Sequence, residues 1–507
     1  MTNKSSITKN TIALYIRMLF SLAVSLYASR IILDVLGVDD YGIYIAVGGI
    51  AGFISFINSA LGNASTRFIT FSLGTNNKLK MEETFSTALS VHIILAILIV
   101  ILGETIGLWF LYHKMVIPDE RLFAAVWVFH ISIITVFFTI TQVPFTASIN
   151  AHEHMNIYAY ASILESVLKL AIIFILKTVQ YDKLIIYSIL YFIITLLMLM
   201  FYRFYCYKHF SETHYNVKLY NKNIFKEIST FSGWSFLNSG GIALNVQGIL
   251  LLLNIFFSPA IVSARAISLQ VNGLAMQFSN NFRAAANPQI IKRYANNEND
   301  NAKKLVLKTA KYSYLLMWLL ALPICFLADP LLHLWLKTVP PYTTIFLQLA
   351  VIQSLFSTLN SSLFMAFYAK GLLKINTLIT TSMYFIQFPI VYIFFRLGYS
   401  PITLSIACLT TDIILGVIIQ PILLIKLLNY SWSDLVKVFS PCLKVSFISI
   451  IFPLAIYIYI NIDTIIEYFL LGVSCSICSL FSIWQYGLET EMRQKIRRKV
   501  QDYIYKL

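Results

Sequence analysis

Charge is scarce in this chain. Only 12% of its 507 residues are Asp, Glu, Lys or Arg, while 58% are hydrophobic and the mean hydropathy is +0.75. A soluble protein of this size has nowhere to hide that much apolar side chain, which excludes a soluble globular fold and indicates a polytopic membrane protein. Acidic residues are scarcer still, 23 against 38 basic, for a net charge of +15. In a soluble protein that excess would point to nucleic acid. Here no loop exceeds about 25 residues, so no folded soluble region is left for nucleic-acid binding or for a catalytic domain. A Walker A sequence is absent, which argues against ATP as a driving force. The chain reads as a non-enzyme.

Cysteine is equally sparse. Cys206, Cys325, Cys408, Cys442, Cys475 and Cys478 lie in or beside apolar stretches. Cys475 and Cys478 form a C-x-x-C inside such a stretch with no second ligand pair, so they read as small buried residues rather than a metal or redox site. No cofactor or metal is expected. The first apolar stretch lacks a small-residue cleavage site after a short core, and is expected to remain as a transmembrane helix.

What is present is a series of apolar runs long enough to cross the roughly 30 Å hydrocarbon layer. They fall near 11–33, 41–62, 85–112, 122–147, 157–179, 184–206, 229–256, 262–287, 309–330, 343–368, 375–396, 400–428, 442–461 and 465–486. The expected fold is all-α, with about 14 transmembrane helices in two six-helix lobes and a C-terminal helix pair. The boundaries are an N-terminal lobe over 1–207, a cytoplasmic linker over 208–228, a C-terminal lobe over 229–430, the extra pair over 431–487 and a basic amphipathic tail over 488–507. With the N-terminus inside, about 27 basic residues lie in cytoplasmic stretches and about 7 in outer loops, which also puts the C-terminus inside. In the tail, Met492, Ile496 and Val500 make one apolar face beside Arg493, Arg497 and Arg498, suited to anionic membrane lipid or to a partner.

Two lobes are also indicated by weak internal similarity. An outer turn (Gly37 to Tyr44), a span and inner Thr66-Arg67-Phe68 parallel an outer turn (Phe257 to Ala260), a span and inner Lys292-Arg293-Tyr294. Ala151 to Ile157 parallels Ala369 to Ile375. Repeats of this kind form lobes that face a shared cavity.

The chemistry lies in polar residues inside the spans. Arg265 and Arg283 are 18 residues apart, five turns, so they share one side of a helix at a separation of roughly 27 Å. Ser268, Asn272 and Ser279 fall on the same stripe. Such a helix lines a water-filled cavity or packs inside a bundle. In the fifth span Tyr158, Ser162, Glu165 and Lys169 share a stripe. Glu165 and Lys169 are either a self-neutralising i, i+4 pair or cavity residues that contact a polar ligand or carry a proton. Arg17 lies on one face of the first span with Ser21, Ser25 and Ala28, and Arg30 lies near its outer end. Either arginine could instead snorkel to the surface. The seventh span carries Ser235, Asn238, Gly241, Asn245 and Gly248, as helix packing or as a bendable cavity wall, and the second carries Gly48, Gly52, Ser55, Ser59 and Gly62 as a packing face.

Asp412, mid-span, is a candidate for Na⁺ or H⁺ coupling, as is Glu165; the alternative for Asp412 is a hydrogen-bonded contact with a neighbour. His130 reads as a satisfied interior histidine, and His152 and His154 as solvated loop residues rather than metal ligands. Excess embedded positive charge favours an anionic cargo, and the planar fork of arginine suits phosphate.

The first outer turn carries a resemblance. Arg30, Asp34-Val35-Leu36-Gly37 and Asp39-Asp40-Tyr41-Gly42-Ile43-Tyr44 resemble the first helix and turn of polysaccharide-export flippases of the O-antigen (Wzx-type) group, in the MOP superfamily that also holds the lipid II flippase and the MATE transporters. Arg67 and the stretch from Ala151 to Tyr158 are similar to that group too. The likeness covers about 1–430, and part of the superfamily has the extra helix pair. The resemblance implies a MATE-like fold in a bacterial cytoplasmic (inner) membrane. It also implies alternating-access movement of undecaprenyl-diphosphate-linked oligosaccharide for surface polysaccharide or O-antigen synthesis. A polysaccharide polymerase and a chain-length regulator become candidate partners.

The substrate-binding candidates are Arg17, Arg30, Lys169, Arg265, Arg283, Asn272, Asn238 and Asn245. A diphosphate cannot touch both ends of a 27 Å stripe at once, so sequential use is expected, with Arg17 and Arg283 nearer the inner face and Arg265 nearer the outer. A MATE-like ion-coupled small-molecule antiporter is one alternative. A membrane polysaccharide polymerase or ligase is another, disfavoured by the short outer loops.

Overall fold

The computed structural model describes residues 24, 27–54, 62, 65–66, 68–69, 72–73, 77–152, 154–370, 372–460, 462, 464–490, 492–494 and 497–498. These residues form helix in every one of the fourteen expected stretches. In chain order the helices are α1 (27–36), α2 (Val38–Ile54), α3 (Lys78–Lys114), α4 (Asp119–Ala151), α5 (Met155–Thr178), α6 (Lys183–His209), α7 (222–256), α8 (Pro259–Ala295), α9 (Asn299–Trp335), α10 (Thr343–Lys370), α11 (Leu373–Arg396), α12 (Ile402–Leu428), α13 (Trp432–Tyr459) and α14 (Ile465–Gly487).

Among the described residues nine of these, α3, α4, α6 and α9 to α14, are long and apolar enough to cross a membrane by length and composition. The protein is a multi-pass membrane protein. α8 runs for 37 residues but is not one of the nine. It carries Arg265, Gln270, Asn272, Gln277, Asn280, Asn281 and Arg283, a composition that hydrocarbon does not solvate.

The chain divides into two compact units, Met1–Ser263 and Ala264–Leu507. In the first, α4 packs against α2, α3 and α6. Its two ends are tied differently. At one end Arg121, at the start of α4, donates from Nε to Asp40 and from Nη1 to Asp182, each at 2.7 Å. That clamp joins the starts of α2, α4 and α6. Asp182 also caps α6 by accepting from the backbone of Leu184 and Ile185. At the other end the backbone N–H groups of Asn216 and Asn221 donate to Ser86 and Thr87, and His152 meets Glu212 at 2.6 Å. Helices therefore alternate in direction, as a serpentine membrane topology requires.

α7 belongs to this first unit. Its second half packs on α2, and Asn254 pairs with both backbone groups of Val116. Gly42 lies under the carbonyl of Pro259, where a Cβ would sit 2.0 Å from the oxygen. A residue of the outer-turn motif is thus glycine because another backbone occupies the space.

In the second unit α9 packs along α10, α13 and α14, and α10 along α12. Hydrogen bonds fasten the extra pair: Trp318 Nε1 donates to Ser449 Oγ at 2.8 Å, and Tyr314 and Ser446 share a bond at 3.0 Å. At one end Tyr294 meets Tyr430, Lys303 donates to the Asn429 carbonyl, and Glu489 meets Lys308 and Lys311.

Among the described residues four π-helical turns occur, three inside helices at Gly103–Gly107, Leu244–Gly248 and Ile414–Ile419 and one that ends α14 at Ile483–Gly487. Such turns recur at functional sites. The first contains Glu104, the second Asn245, and the third begins two residues after Asp412.

Candidate functional site

The polar stripe of α8 faces its own unit. Arg265 is 3% exposed. Its Nη1 donates to Ser405 Oγ of α12 at 3.1 Å, and its guanidinium carbon stands 5.8 Å from the Phe346 ring centre of α10. Its Nε has no hydrogen-bond partner and no carboxylate lies within ion-pair distance, among the described residues. Two turns along, Asn272 accepts from Ser354 Oγ at 2.9 Å. Ser279 donates to the Ser313 carbonyl of α9 at 3.3 Å. The stripe from Arg265 to Ser279 thus packs inside a bundle, the second of the two environments its sequence allowed.

Asp412 joins this network. It is 4% exposed and accepts from Gln353 Nε2 of α10 at 2.8 Å. Ser405, Cys408 and Asp412 recur on one face of α12 at spacings of three and four residues. Gln387 Nε2 of α11 donates to the Cys408 sulfur at 3.0 Å. One helix face therefore presents the Arg265 contact and the Asp412 carboxylate about two turns, ~10 Å, apart. Below them Asn376 and Gln420 exchange hydrogen bonds at 2.8 and 3.2 Å. Among the described residues this leaves a buried cation without a carboxylate and a buried carboxylate without a cation, both costly, which makes the pair a candidate site for an ion or a polar ligand.

Arg283 is placed differently. It is half-buried, its Nη2 donates to Asn280 one turn away, and its Nε has no partner among the described residues. Of the five donors of a guanidinium, one is used by Asn280 and the Nε donor is buried without a partner.

The other sequence-selected residues lie elsewhere. Glu165 and Lys169 pair with each other at 2.7 Å, side chains 42% and 37% exposed, and the Lys169 ammonium stands 5.4 Å from the Tyr191 ring centre. Arg30 is half-buried on α1, and Asn245 half-buried in the π-turn of α7. Arg17 lies outside the described residues, as do the side chains of Asn238, Tyr158 and Ser162. His154 Nδ1 shares a 2.6 Å hydrogen bond with the Tyr205 hydroxyl, and His152 stacks on Phe210.

Sequence reasoning passed over Gln353, Gln387 and Ser405, whose only signal is an amide or hydroxyl inside an apolar run. It also passed over Glu104. That carboxylate meets His130 at 2.8 Å in the first unit, which supplies the partner that made His130 a satisfied histidine.

No family model matches the sequence, and no curated protein matches it. Solved structures do. The lipid II flippase MurJ in an inward closed conformation is similar with a TM-score of 0.70 and 15% identity, over 93% of this chain and 98% of that one. An inward-facing multidrug resistance MATE family transporter of the MOP superfamily has a TM-score of 0.69 and 15% identity, over 83% and 99%. A MOP superfamily transporter from Pyrococcus furiosus, described as having a binding pocket of reverse polarity that suggests a different function, has a TM-score of 0.53 and 15% identity, over 81% and 96%. The chain has the fold these proteins share.

Proposed function

We propose that this chain is a flippase that moves undecaprenyl-diphosphate-linked oligosaccharide across a bacterial cytoplasmic membrane by alternating access, in surface polysaccharide or O-antigen synthesis. Both termini lie in the cytoplasm on this reading, and a polymerase and a chain-length regulator act downstream. The observation that carries it is the uncompensated positive charge of α8. Arg265 and Arg283 have no carboxylate partner among the described residues, and arginine is suited to a diphosphate by its paired, coplanar donors. A second observation supports the lipid-flippase reading. The twelve-helix core of 1–430 is about 85% of the chain, so a likeness over 93% of it extends into α13 and α14. The likeness to the multidrug transporter, over 83%, does not require that pair.

In this mechanism Arg283 offers its unpaired donors to the incoming diphosphate, with Arg17 as its neighbour in role. Arg265 is held in reserve inside the second unit and meets the diphosphate later, when rearrangement opens the stripe. Asn272, Asn238 and Asn245 contact glycan hydroxyls, Arg30 extends the cationic field, and Lys169 joins it when the diphosphate takes it from Glu165. The polyprenyl chain stays in lipid. Asp412 binds the coupling H⁺ or Na⁺, with Glu165 as the second candidate. Deleting the gene in its own host should abolish surface glycan. Wild type should restore it, and the Arg265→Ala, Arg283→Ala double variant, present at equal level in the membrane, should not. Full restoration by the variant removes the basis of the assignment.

The enclosed Asp412 favours one other reading, a MATE-like ion-coupled antiporter of small molecules. Efflux of a cationic dye that is lost in Asp412→Asn would support it.

A further inference from the structure

We propose that a small basic pocket at one end of the second unit binds the headgroup of an anionic phospholipid, and that Glu489 is its built-in competitor. The pocket encloses about 190 Å³ and is lined by Lys304, Lys308, Lys311, Lys437, Asp434 and Glu489, with Leu307 and Val438 as its apolar floor. That space is large enough for a phosphate group.

Three elements build it: the second to fourth turns of α9, the first two turns of α13 and the segment just past α14. Four ammonium groups against two carboxylates leave a net charge of +2 in the pocket. The carboxylates are engaged. Asp434 forms a capping box with Ser431 and stands 3.7 Å from Lys437. Glu489 reaches Lys308 at 2.7 Å with one oxygen and Lys311 at 3.3 Å with the other. Lys311 is 6% exposed, a buried ammonium that needs an anion beside it. Lys304 is exposed and has no ion-pair partner among the described residues.

The surroundings favour an amphiphile over a free anion. α9 is 37 residues long, about 55 Å, well beyond the ~30 Å hydrocarbon layer. The 24 residues after Lys311 suffice to cross that layer, so the lysines stand at headgroup level. About a quarter-turn round α13 from Lys437 and the exposed Lys444 runs an exposed apolar face of Val436, Leu443, Phe447 and Ile451, where acyl chains would lie. A phosphate placed at the foot of that wall, between the lysines, has its chains already positioned. Basic pockets between helices at this level are suited to anionic headgroups.

The glutamate makes the site switchable. A headgroup phosphate that takes Lys308 and Lys311 displaces the Glu489 carboxylate, and with it the start of the basic tail. Arg497 of that tail stands 5.9 Å from the Trp484 ring centre.

Purified full-length protein in zwitterionic detergent, titrated with short-chain phosphatidylglycerol, phosphatidylcholine or inorganic phosphate, tests this by its melting temperature. Phosphatidylglycerol should raise it and the other two should not. Lys304→Gln and Lys437→Gln, both at exposed positions, should each weaken the phosphatidylglycerol effect about fivefold. Glu489→Gln should strengthen it, and the control Lys426→Gln, outside the pocket, should leave it unchanged. Equal stabilisation by phosphatidylcholine overturns the proposal. So does an equal loss in the control, which would make the effect general surface charge. Inorganic phosphate that reproduces the shift would overturn the lipid source, and weaker binding by Glu489→Gln would overturn the competitor role.

Discussion

Arg265 meets a hydroxyl rather than a carboxylate: its Nη1 lies 3.1 Å from Ser405 Oγ inside the second unit. Because no partner carboxylate is present among the described residues, removing the charge leaves no orphaned anion. Loss of one member of a buried ion pair is strongly destabilising for that reason, and the penalty does not apply here. Arg265→Gln should therefore keep or raise the melting temperature while lowering translocation at least tenfold. Arg265→Lys should also fail, since a point charge does not reproduce the fork. Melting and translocation measured on the same preparations separate the two effects.

Asp412 and Gln353 make the complementary case. Asp412→Asn retains an oxygen that can accept from Gln353 Nε2, now at 2.8 Å, so folding should be preserved. What is lost is the charge that a cation neutralises. Translocation in vesicles should cease to respond to an imposed proton or sodium gradient, and a variant that keeps its gradient response would exclude Asp412 from coupling.

Gly42 should not tolerate a side chain. A Cβ there would lie 2.0 Å from the Pro259 carbonyl oxygen and 2.8 Å from Ser263 Oγ, and backbone cannot give way as a flexible side chain can. Gly42→Ala should cost about 1–3 kcal/mol or more. Gly273→Ala is the control, with open space around its Cβ, and should be neutral or slightly stabilising in a helix. Thermal melts of the two variants in detergent decide this.

The clamp at Arg121 sets a pH dependence. Burial pushes the Asp182 carboxyl up, but the Arg121 hydrogen bond and the N–H groups of Ile185 and Leu184 outweigh it and hold it below its ordinary value. A depressed carboxyl contributes stability above its unfolded value of about 3.9, and that contribution is lost as pH falls through the folded one. Burial raises the Asp40 carboxyl on the other arm of the clamp, so Arg121→Ala should lower the melting temperature at pH 7 by the equivalent of about 1 kcal/mol, with Asp40 the first to narrow the difference on acidification. The difference should shrink below about pH 4. A difference that grows on acidification would contradict this sign.

The helices were legible because hydrocarbon imposes one length and one composition on whatever crosses it. α9 to α14 lie within a few residues of their expected places, save where polar turns carry α9 and α13 outward past the apolar run. α8 was legible as a helix and as a polar stripe, since periodicity alone gives both. Which neighbours the stripe would face was not, because that depends on α9, α10 and α12 folding back over it from up to 140 residues away. For the same reason Arg265 and Asp412 read as separate features until one face of α12 joined them. Glu104 escaped notice because the carboxylate shows its meaning only beside His130. Gly42 stood in a recognisable motif, but its reason is the carbonyl of Pro259, more than 200 residues on.

The most direct test is translocation itself. Vesicles containing the purified protein and an undecaprenyl-diphosphate-linked oligosaccharide labelled in its glycan would be exposed to an external glycosidase. The account predicts that wild type exposes the inner-leaflet glycan over time and that Arg283→Ala and Arg265→Gln leave it protected. Glycan that stays protected with wild type, in vesicles that do transport a cationic dye, would contradict it.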